Sequence, residues 1–379
     1  MDNIIYLDNN ATTPVDSRVL EAMLPYFSNE YANASSTHNF GQSIKKSINR
    51  SREEVANLIG ANSNEIIFTS GATESINLSL IGYALANIEK GKHIITLKTE
   101  HKAVLDTCKY LETIGFEISY LSVNNDGLID LNKLKSEIND SSILISVMFV
   151  NNEIGVIQPI KEIANIAHDS AMAFFCDATQ AVGKVDILVN EFDIDIMAFS
   201  GHKFYAPKGI GGLYIKGLSN NKFKLQPILH GGGHENGIRS GTLNVPGIVA
   251  LGKACELAKK EMNDNAEIIS ALRNELENDL LKFPGSFVNG SIENRIYNVC
   301  NICFPGMDAN VMIGKMKNVA VSNGSACTSA IIEPSHVLAA IGLSDRDAFA
   351  SIRFSLGKYN NRSEVHTVSK LVRELFIKS

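Results

Sequence analysis

Three segments each place a residue suited to ligand chemistry directly after a predicted strand. The first, residues 69–74 (TSGATE), brings small residues and the Thr73 hydroxyl to the start of a predicted helix. Small residues allow a ligand close to the backbone, and the free N–H groups of a helix start bind phosphate. The same residues are compatible with an ordinary helix cap that pairs Ser70 with Glu74, and taken alone the segment favours the cap.

The other two segments supply a carboxylate and an amine. Asp177 follows the buried run 173–176, where its charge needs a positive partner, either an arginine or a protonated pyridine nitrogen. Lys203 follows the predicted strand 194–199, and a lysine in a largely apolar loop has a lowered pKa and can form a Schiff base. Because the carboxyl ends of parallel strands meet at one edge, we expect these groups to share a site with Thr73. A phosphate cradle, a lysine and a pyridinium partner together indicate a pyridoxal 5′-phosphate site.

Two further residues are suited to binding or converting a substrate. Arg353 is a charge inside the predicted strand 351–355. Its guanidinium could hold a carboxylate or form a structural salt bridge, and both interpretations stay open. His101 follows another strand end and is suited to proton transfer or to stacking on a ring, although a single histidine is more often structural.

Cys327 stands apart among the six cysteines. It lies in the small, polar stretch 322–330 (SNGSACTSA), which predicts an exposed loop and a reactive thiol, the alternative being an accidental surface cysteine. Cys300 and Cys303 form a CxxC pair on a predicted strand, where residues three apart face opposite sides. No second pair accompanies them, so we expect core cysteines rather than a metal site.

Strands alternate with helices over residues 60–220, which predicts an α/β fold with a mostly parallel sheet covered by helices. The predicted strands are 66–69, 93–96, 117–121, 142–150, 173–176 and 194–199. A long helix from Pro246 to about Leu281 then introduces short strands and a final helix, typical of a smaller α+β domain. We therefore predict a large domain over residues 31–246, a small one over 247–379, and a segment 1–30 that packs with the small domain.

Composition excludes several classes of protein. The chain has 379 residues, of which 45% are apolar and 20% charged, and its net charge is −6. This balance gives no reason to expect nucleic acid or an anionic membrane as a partner. We find neither an apolar run of about 18 residues nor the cationic, apolar start of a signal peptide, so we expect a cytoplasmic protein.

Nearly the whole chain resembles the cysteine desulfurases of the NifS/IscS type, which are fold-type-I pyridoxal phosphate enzymes of the class V aminotransferase group. The segments that carry the resemblance are 6–14 (YLDNNATTP), 99–103 (TEHKA), 150–155 (VNNEIG), 177–180 (DATQ), 200–203 (SGHK), 239–242 (RSGT) and 324–329 (GSACTS). The resemblance implies pyridoxal 5′-phosphate as cofactor, a large domain with a mostly parallel sheet, a smaller α+β domain, and a homodimer.

The resemblance also implies which residues hold the cofactor. Lys203 would bind it covalently, Asp177 would pair with its ring nitrogen and Gln180 with its ring oxygen, while His101 would stack on the ring and move protons. The remaining implied cofactor contacts are Ala72, Thr73, Asn152, Ser200 and His202, with Thr242 from the other subunit. No resident metal is implied.

For the reaction, the resemblance implies conversion of L-cysteine to L-alanine. Asn152 and Arg353 would hold the substrate carboxylate, and Cys327 would become a persulfide that delivers sulfur to acceptor or iron–sulfur scaffold proteins, with at most a transient iron–sulfur contact. Iron–sulfur assembly, nitrogenase maturation and tRNA thiolation stay open as pathways. The alternatives are a selenocysteine lyase or another class V enzyme, and a catalytically silent sulfur carrier.

Overall fold

The computed structural model describes residues 4–220, 222–323 and 333–377, and its elements are numbered in chain order. The strands are β1 (Ile5–Tyr6), β2 (Ile66–Thr69), β3 (His93–Leu97), β4 (Glu117–Leu121), β5 (Ser142–Ser146), β6 (Ala173–Asp177), β7 (Ile196–Ser200), β8 (Gly211–Ile215), β9 (Phe287–Val288), β10 (Val299–Cys303), β11 (Val319–Ala320) and β12 (Ser351–Ser355). The helices are α1 (Ser17–Met23), α2 (Pro25–Ser28), α3 (Asn39–Ile59), α4 (Ala72–Ala86), α5 (Lys102–Thr113), α6 (Leu131–Glu137), α7 (Ile160–Asp169), α8 (Val245–Leu280), α9 (Ala309–Lys315), α10 (His336–Ala340), α11 (Asp345–Phe349) and α12 (Arg362–Ile377).

The large sheet is built from strands that are apolar on both faces. Within the described ranges it has seven strands in the order β2-β8-β7-β6-β5-β3-β4. Neighbours from β7 to β4 pair in parallel, whereas β8 is antiparallel to both β7 and β2. Every residue of β6 and β7 is buried, because helices cover both faces of the sheet. The carboxyl ends of β2, β3, β5, β6 and β7 consequently lie along one edge.

Two apolar cores cover the faces of this sheet. On one face, Ile48 of α3 and Ile163 of α7 pack with Leu251 of α8. On the other, Leu80 of α4 packs with Val104 of α5. Burial of these apolar helix faces holds the helices against the sheet. The turns between each strand and helix are thereby fixed at the edge of the sheet.

A third core belongs to the C-terminal part of the chain. The antiparallel strands β12-β10-β9 form its sheet, and β1 pairs in parallel with β11 beside it. Leu276 and Leu280, near the end of α8, pack here with Phe354. The 36-residue helix α8 therefore contributes its first half to the large core and its last turns to the small one.

The predicted α/β class with a mostly parallel sheet is confirmed. The strand predicted over 142–150 is too long, because β5 ends at Ser146. Beyond it, Val147 N still donates to Phe175 O at 3.1 Å, but Met148 N turns away to the Glu100 carboxyl at 2.8 Å. Pairing with β3 ends at this point.

β8 was not predicted, because its start contains two glycines and so gives a weak strand signal. Residues 1–30 divide between the cores over their described part, since Leu7 packs in the small core and Val19 in the large one. The domain limits themselves stay a prediction. Among the described residues, no helix combines the length and apolarity needed to cross a membrane.

Candidate active site

A cavity of about 620 Å³ opens at the carboxyl edge of the large sheet. Turns that follow β2, β3, β5, β6 and β7 form most of its wall, and β12 adds one residue from the small sheet. The predicted site residues that line it are Ala72, Thr73, His101, Asn152, Asp177, Gln180, Ser200, His202, Lys203 and Arg353. The fold therefore gathers residues that are as much as 281 positions apart, as expected at the carboxyl ends of parallel strands.

Lys203 ends the short 3₁₀ turn Gly201–Lys203 that follows β7. Its Nζ donates hydrogen bonds to the carbonyl oxygens of Asn10 at 2.8 Å and Ala11 at 2.7 Å. Burial, helped by the positive charge of Arg353, lowers the pKa of Lys203 to about 8. With that pKa, about a tenth of the amine is neutral at pH 7, and only the neutral amine can attack a carbonyl carbon.

Asp177 is the last residue of β6 and is buried. Thr179 donates to Asp177 Oδ1 through its backbone N–H and its hydroxyl. Oδ2 makes no hydrogen bond with the described part of the chain, and the side chain lines the cavity. A buried carboxylate with one oxygen unused is suited to bind a cation or a protonated ring nitrogen.

The turn before α4 leaves the first N–H groups of that helix without a side-chain cap. Gly71 occupies the cap position with a φ of +154°. Glu74 accepts a hydrogen bond from Ser70 N at 2.7 Å and is itself held by Arg239, whose Nε lies 2.6 Å from Oε1. The capping pair of Ser70 and Glu74 is therefore present in part, but the helix start stays open to an anion.

Gly211 allows this turn to lie against the sheet. A Cβ at Gly211 would be 2.6 Å from Gly71 Cα and 2.6 Å from Phe199 O. Only a glycine fits at this position, and its small size brings the start of α4 next to Ser200 at the end of β7. The two parts of the predicted phosphate site are adjacent for this reason.

Both cavity histidines are neutral at pH 7. Desolvation, with nearby lysines Lys203 and Lys208, lowers the pKa of His202 to about 4, and its Nδ1 lies 3.1 Å from Thr12 Oγ1. Desolvation by the pocket also lowers the pKa of His101, opposed by the Asp177 carboxylate. Because His101 Nδ1 accepts a hydrogen bond from Ala103 N at 3.1 Å, the ring proton is on Nε2.

Arg353 is buried in β12 and only partly engaged. Its Nη2 donates to Asp8 Oδ1 at 2.7 Å, and its Nη1 donates to Asn152 O at 3.0 Å. Nε is buried and has no hydrogen-bond partner among the described residues. The salt bridge considered for this residue is therefore present, each Nη atom carries a second N–H beyond these two bonds, and the carboxylate site stays a prediction.

Comparison with known proteins identifies the family of this site. The family model described as "Aminotransferase class-V" matches residues 5–368. The chain belongs to the class-V aminotransferase family. It is 48% identical over 372 residues to "Cysteine desulfurase IscS" of Anaeromyxobacter sp. (strain K), covering 98% of this chain and 92% of that protein.

Solved structures agree with this assignment. A "NIFS-LIKE PROTEIN" superposes with a TM-score of 0.93 at 36% identity, covering 99% of this chain and 100% of that one. "SspA in complex with cysteine" superposes with a TM-score of 0.83 at 38% identity, covering 94% and 100% respectively. The resemblance to NifS/IscS-type enzymes and the fold-type-I architecture are confirmed by these matches, and the cofactor of this class-V enzyme is pyridoxal 5′-phosphate.

The class-V site fits its cofactor in size and in donor set. Its volume lies within the range of small-molecule sites. The uncapped start of α4 suits the phosphate, the free oxygen of Asp177 suits the ring nitrogen, and the Lys203 amine suits the aldehyde. Three independent features of this class-V structure thus match three different groups of one molecule.

Several site residues escaped the sequence analysis. The carbonyl oxygens of Asn10 and Ala11, which hold Lys203, have no signal in residue type, although they fall within the segment 6–14. Asp8 lies in the same segment as a partner of Arg353. Lys184, which donates to Gln180, has the residue type of a surface position but is buried.

Two predicted residues are not part of the cavity as the structure describes it. Thr242 lies outside it, in a second pocket of about 310 Å³ beside Tyr26 and Tyr31. A cofactor contact by Thr242 therefore requires another subunit and stays a prediction. Cys327 lies outside the described residues.

The other five cysteines are buried free thiols, including Cys300 and Cys303. No group of residues that could hold a metal occurs among the residues described. The burial of Cys300 and Cys303 agrees with the interpretation of the CxxC pair as core cysteines.

Proposed function

We propose that this protein is a cysteine desulfurase that removes the sulfur of L-cysteine, releases L-alanine and holds the sulfur on Cys327. The observation that carries the proposal is the Lys203 amine, which shares one cavity with the Asp177 carboxylate and the Arg353 guanidinium. The amine suits the cofactor aldehyde, the carboxylate suits its ring nitrogen, and the guanidinium suits the carboxylate of an amino-acid substrate.

Residues of this chain would set the protonation and hydrogen bonding of the cofactor. Pyridoxal 5′-phosphate supplies an electron sink for the carbanion formed at the substrate Cα. Asp177 keeps the ring nitrogen protonated, because a cation beside a buried carboxylate is stabilised. Gln180 donates its carboxamide N–H to the ring oxygen, and Ala72, Thr73, Ser200 and His202 bind the phosphate, the last as a neutral donor.

Proton transfer falls to two residues. The Lys203 Nζ, whose pKa of about 8 leaves about a tenth of it as the neutral amine at pH 7, would take the proton from the substrate Cα. His101, with its proton on Nε2, would stack on the cofactor ring and move a proton at the substrate sulfur. Both groups have pKa values below those of exposed residues of their type, which suits exchange near neutral pH.

Arg353 and Asn152 orient the substrate. One N–H on each Nη atom of Arg353 is anchored, by Asp8 and by the carbonyl of Asn152, and the second N–H on each would be a charge-assisted donor for the L-cysteine carboxylate. A fixed guanidinium places Cα and the sulfur in one orientation over the ring. Asn152 lines the same wall and contributes its side-chain amide.

Sulfur transfer is assigned to the thiolate of Cys327. The thiolate attacks the substrate sulfur, an S–S bond forms, the substrate C–S bond breaks and its electron pair stays on the carbon that becomes the alanine methyl group. Protonation of that carbon and return of a proton to Cα complete L-alanine. L-cysteine and the enzyme thiol therefore become L-alanine and an enzyme persulfide, with no external oxidant.

The wider setting of this activity belongs to the same proposal. A second copy of the chain supplies Thr242 to the phosphate, because Thr242 lies outside its own cavity. The persulfide passes to a sulfur-acceptor or iron–sulfur scaffold protein. Buried free thiols are typical of a reducing compartment, which supports a cytoplasmic location.

Product analysis tests the proposal directly. Purified holoenzyme is incubated with L-cysteine and a dithiol reductant, and alanine and sulfide are measured. Wild-type protein is expected to release both in equal amounts. Cys327→Ser is expected to keep the visible absorbance of the bound cofactor and to release no sulfide, whereas Lys203→Ala loses the covalent label that borohydride leaves on the wild type.

Cys303→Ala provides the matched control, since Cys303 is a core cysteine outside the cavity. It is expected to retain activity. Full sulfide production by Cys327→Ser would overturn the nucleophile role and favour a lyase that acts without a persulfide. Peptide mapping that finds the borohydride label away from Lys203 would overturn the site.

A further inference from the structure

A buried lysine that the proposed reaction does not use lies behind the cavity wall. Lys184 is 9% exposed and does not line the cavity. Its Nζ donates a hydrogen bond to Gln180 Oε1 at 2.7 Å. Among the described residues it makes no ion pair, which is unusual for a buried lysine because burial of an unpaired ammonium is costly. Such a residue is expected to have a specific role.

Local backbone structure brings Lys184 and Gln180 together. After Asp177 the chain forms helical turns, in which Val182 N donates to Ala178 O at 3.0 Å and Val185 N donates to Ala181 O at 2.9 Å. Residues four apart on such turns share a face. The contact between Lys184 and Gln180 therefore follows from the turn itself.

The same turn is tied to the lysine loop. Gly183 has a φ of +77°, and a Cβ there would lie 2.7 Å from the Cβ of Phe204. Phe204 directly follows Lys203 and is buried. The backbone around Lys184 is therefore held against the loop that carries the reactive amine.

Hydrogen bonds at both ends fix the orientation of the Gln180 carboxamide. Oε1 accepts from Lys184, and Nε2 donates to the carbonyl oxygen of Asn10 at 2.8 Å. A flipped amide would place its oxygen against the Asn10 oxygen, which is repulsive in either protonation state of Lys184, and its NH₂ against Lys184, which is repulsive when Lys184 is an ammonium. Asn10 O also accepts from Lys203, so the carboxamide and the reactive amine share one acceptor.

We propose that Lys184 is a positioning residue that acts through Gln180. By binding Oε1 it keeps the amide N–H groups on the cavity side, where one is held by Asn10 and the second is available to the ring oxygen of the cofactor. This inference rests on the proposed role of Gln180. Lys184 would thereby influence the charge on the ring oxygen of the cofactor, rather than only stabilise the fold.

The charge of Lys184 is not needed for this role. Burial, with the charges of Lys203 and Arg353, lowers the pKa of Lys184 to about 7. Ammonium and amine both carry N–H groups, and Oε1 can only accept. The hydrogen bond is therefore retained in both protonation states.

The test is a pH titration of the visible absorbance of the bound cofactor, without substrate, in a double-mutant cycle. A donor to the ring oxygen draws off its negative charge and weakens its hold on the neighbouring proton, so loss of the donor raises the pH midpoint. Lys184→Met is expected to raise the midpoint by about half a unit to one unit and to weaken cofactor binding about three- to tenfold, typical of one hydrogen bond. Gln180→Leu should shift it as much, and the double variant should shift it no further.

Controls separate folding from positioning. Lys216→Met removes a half-buried lysine that is paired with Asp193 outside the cavity, so it is expected to lower thermal stability without moving the midpoint. Lys184→Gln has a shorter side chain that is not expected to reach Gln180 Oε1. It is expected to shift the midpoint as Lys184→Met does, and it replaces that variant if the methionine protein does not fold.

The possible results separate the role of Lys184 from the proposed function. Additive shifts in the double variant, or an unchanged midpoint in Lys184→Met when Gln180→Leu moves it, overturn the role of Lys184 and leave the proposed function intact. An unchanged midpoint in Gln180→Leu overturns the role given to Gln180 and with it this inference. Absence of alanine production by the wild type would instead overturn the proposed function.

Discussion

Arg353 donates a hydrogen bond from Nη2 to Oδ1 of Asp8 at 2.7 Å, which joins β12 to the segment after β1. Arg353 lines the cavity, and a second N–H of Nη2 remains beyond this bond. A guanidinium fixed by a carboxylate is oriented before the substrate arrives, and this reduces the ordering required on binding.

Asp8→Asn is expected to raise the KM for L-cysteine about three- to tenfold with a smaller change in kcat, because the loss of one charge-assisted hydrogen bond loosens Arg353. Steady-state alanine production measures both constants. Asp279→Asn, which removes an ion pair with the exposed Lys282 outside the cavity, serves as the control. A KM that is unchanged or lower in Asp8→Asn would mean that Asp8 only neutralises the guanidinium.

The pKa of Lys203, about 8, predicts the pH dependence of cofactor incorporation. Only the neutral amine reacts with an aldehyde, so the rate at which cofactor-free protein binds pyridoxal phosphate covalently should rise about tenfold per unit below pH 8 and level off above it. Stopped-flow absorbance follows the reaction.

Because the positive charge of Arg353 lowers the pKa of Lys203, Arg353→Met should move this midpoint to higher pH. Arg50→Met, at an exposed arginine, should leave it in place. An identical midpoint in the Arg353 variant would show that burial alone sets the reactivity of the amine.

Glu100 predicts a separate effect of pH, on stability. Burial raises the pKa of this carboxyl well above its ordinary value, and Oε2 has no partner among the described residues. The folded state therefore keeps a proton that the unfolded state releases. The resulting stability is fully present below the unfolded pKa and is lost as pH rises toward the folded one.

Glu100→Gln retains the shape and removes the titration. Between pH 5 and 8 its free energy of unfolding should fall less than that of the wild type, by at most about 1.4 kcal/mol per pH unit for one proton. Urea unfolding at several pH values measures the slopes, with exposed Glu21→Gln as the control. Parallel slopes in wild type and Glu100→Gln would contradict the prediction.

Gly211→Ala should disrupt the phosphate turn. The new Cβ would lie 2.6 Å from two backbone atoms, Gly71 Cα and Phe199 O, so the turn or the strand must shift. Strain of this kind costs about 1–3 kcal/mol, and displacement of Gly71 should weaken cofactor binding at least about tenfold. Thermal unfolding and cofactor release measure the two effects.

Gly314→Ala is the matched control for this substitution, because no described atom lies within 4 Å of the new Cβ and the residue is in α9. It should stabilise the helix or leave it unchanged. Equal behaviour of the two variants would mean that Gly211 is not required for close approach.

Sequence predicted the parts of the site that depend on residue type. Lys203 and Asp177 could be placed because polar residues at the ends of apolar strands have few structural explanations, and parallel strands bring such ends together. The parts it missed depend on tertiary contacts. The carbonyl of Asn10 has no side-chain signal, and Lys184 is buried only because its turn packs against the lysine loop.

Strand limits show the same division. The apolar run 142–150 favours one long strand, but β5 ends at Ser146 because the Glu100 side chain takes the N–H of Met148. β8 was missed because its glycines serve close contacts, Gly211 with Gly71 and Gly212 with the Phe199 ring, and glycine has a low strand propensity. Local pattern thus identified the sheet, while long-range contacts set where its strands stop.

The long helix α8 has a consequence for how the protein unfolds. One continuous rod, about 54 Å in length at 1.5 Å per residue, is embedded at one end in the large core and at the other in the small core. Unfolding of either core would expose part of α8, which the other core requires for its own packing. Heat or denaturant should therefore unfold both cores in one cooperative transition. A break in the middle of α8 would separate it into two transitions.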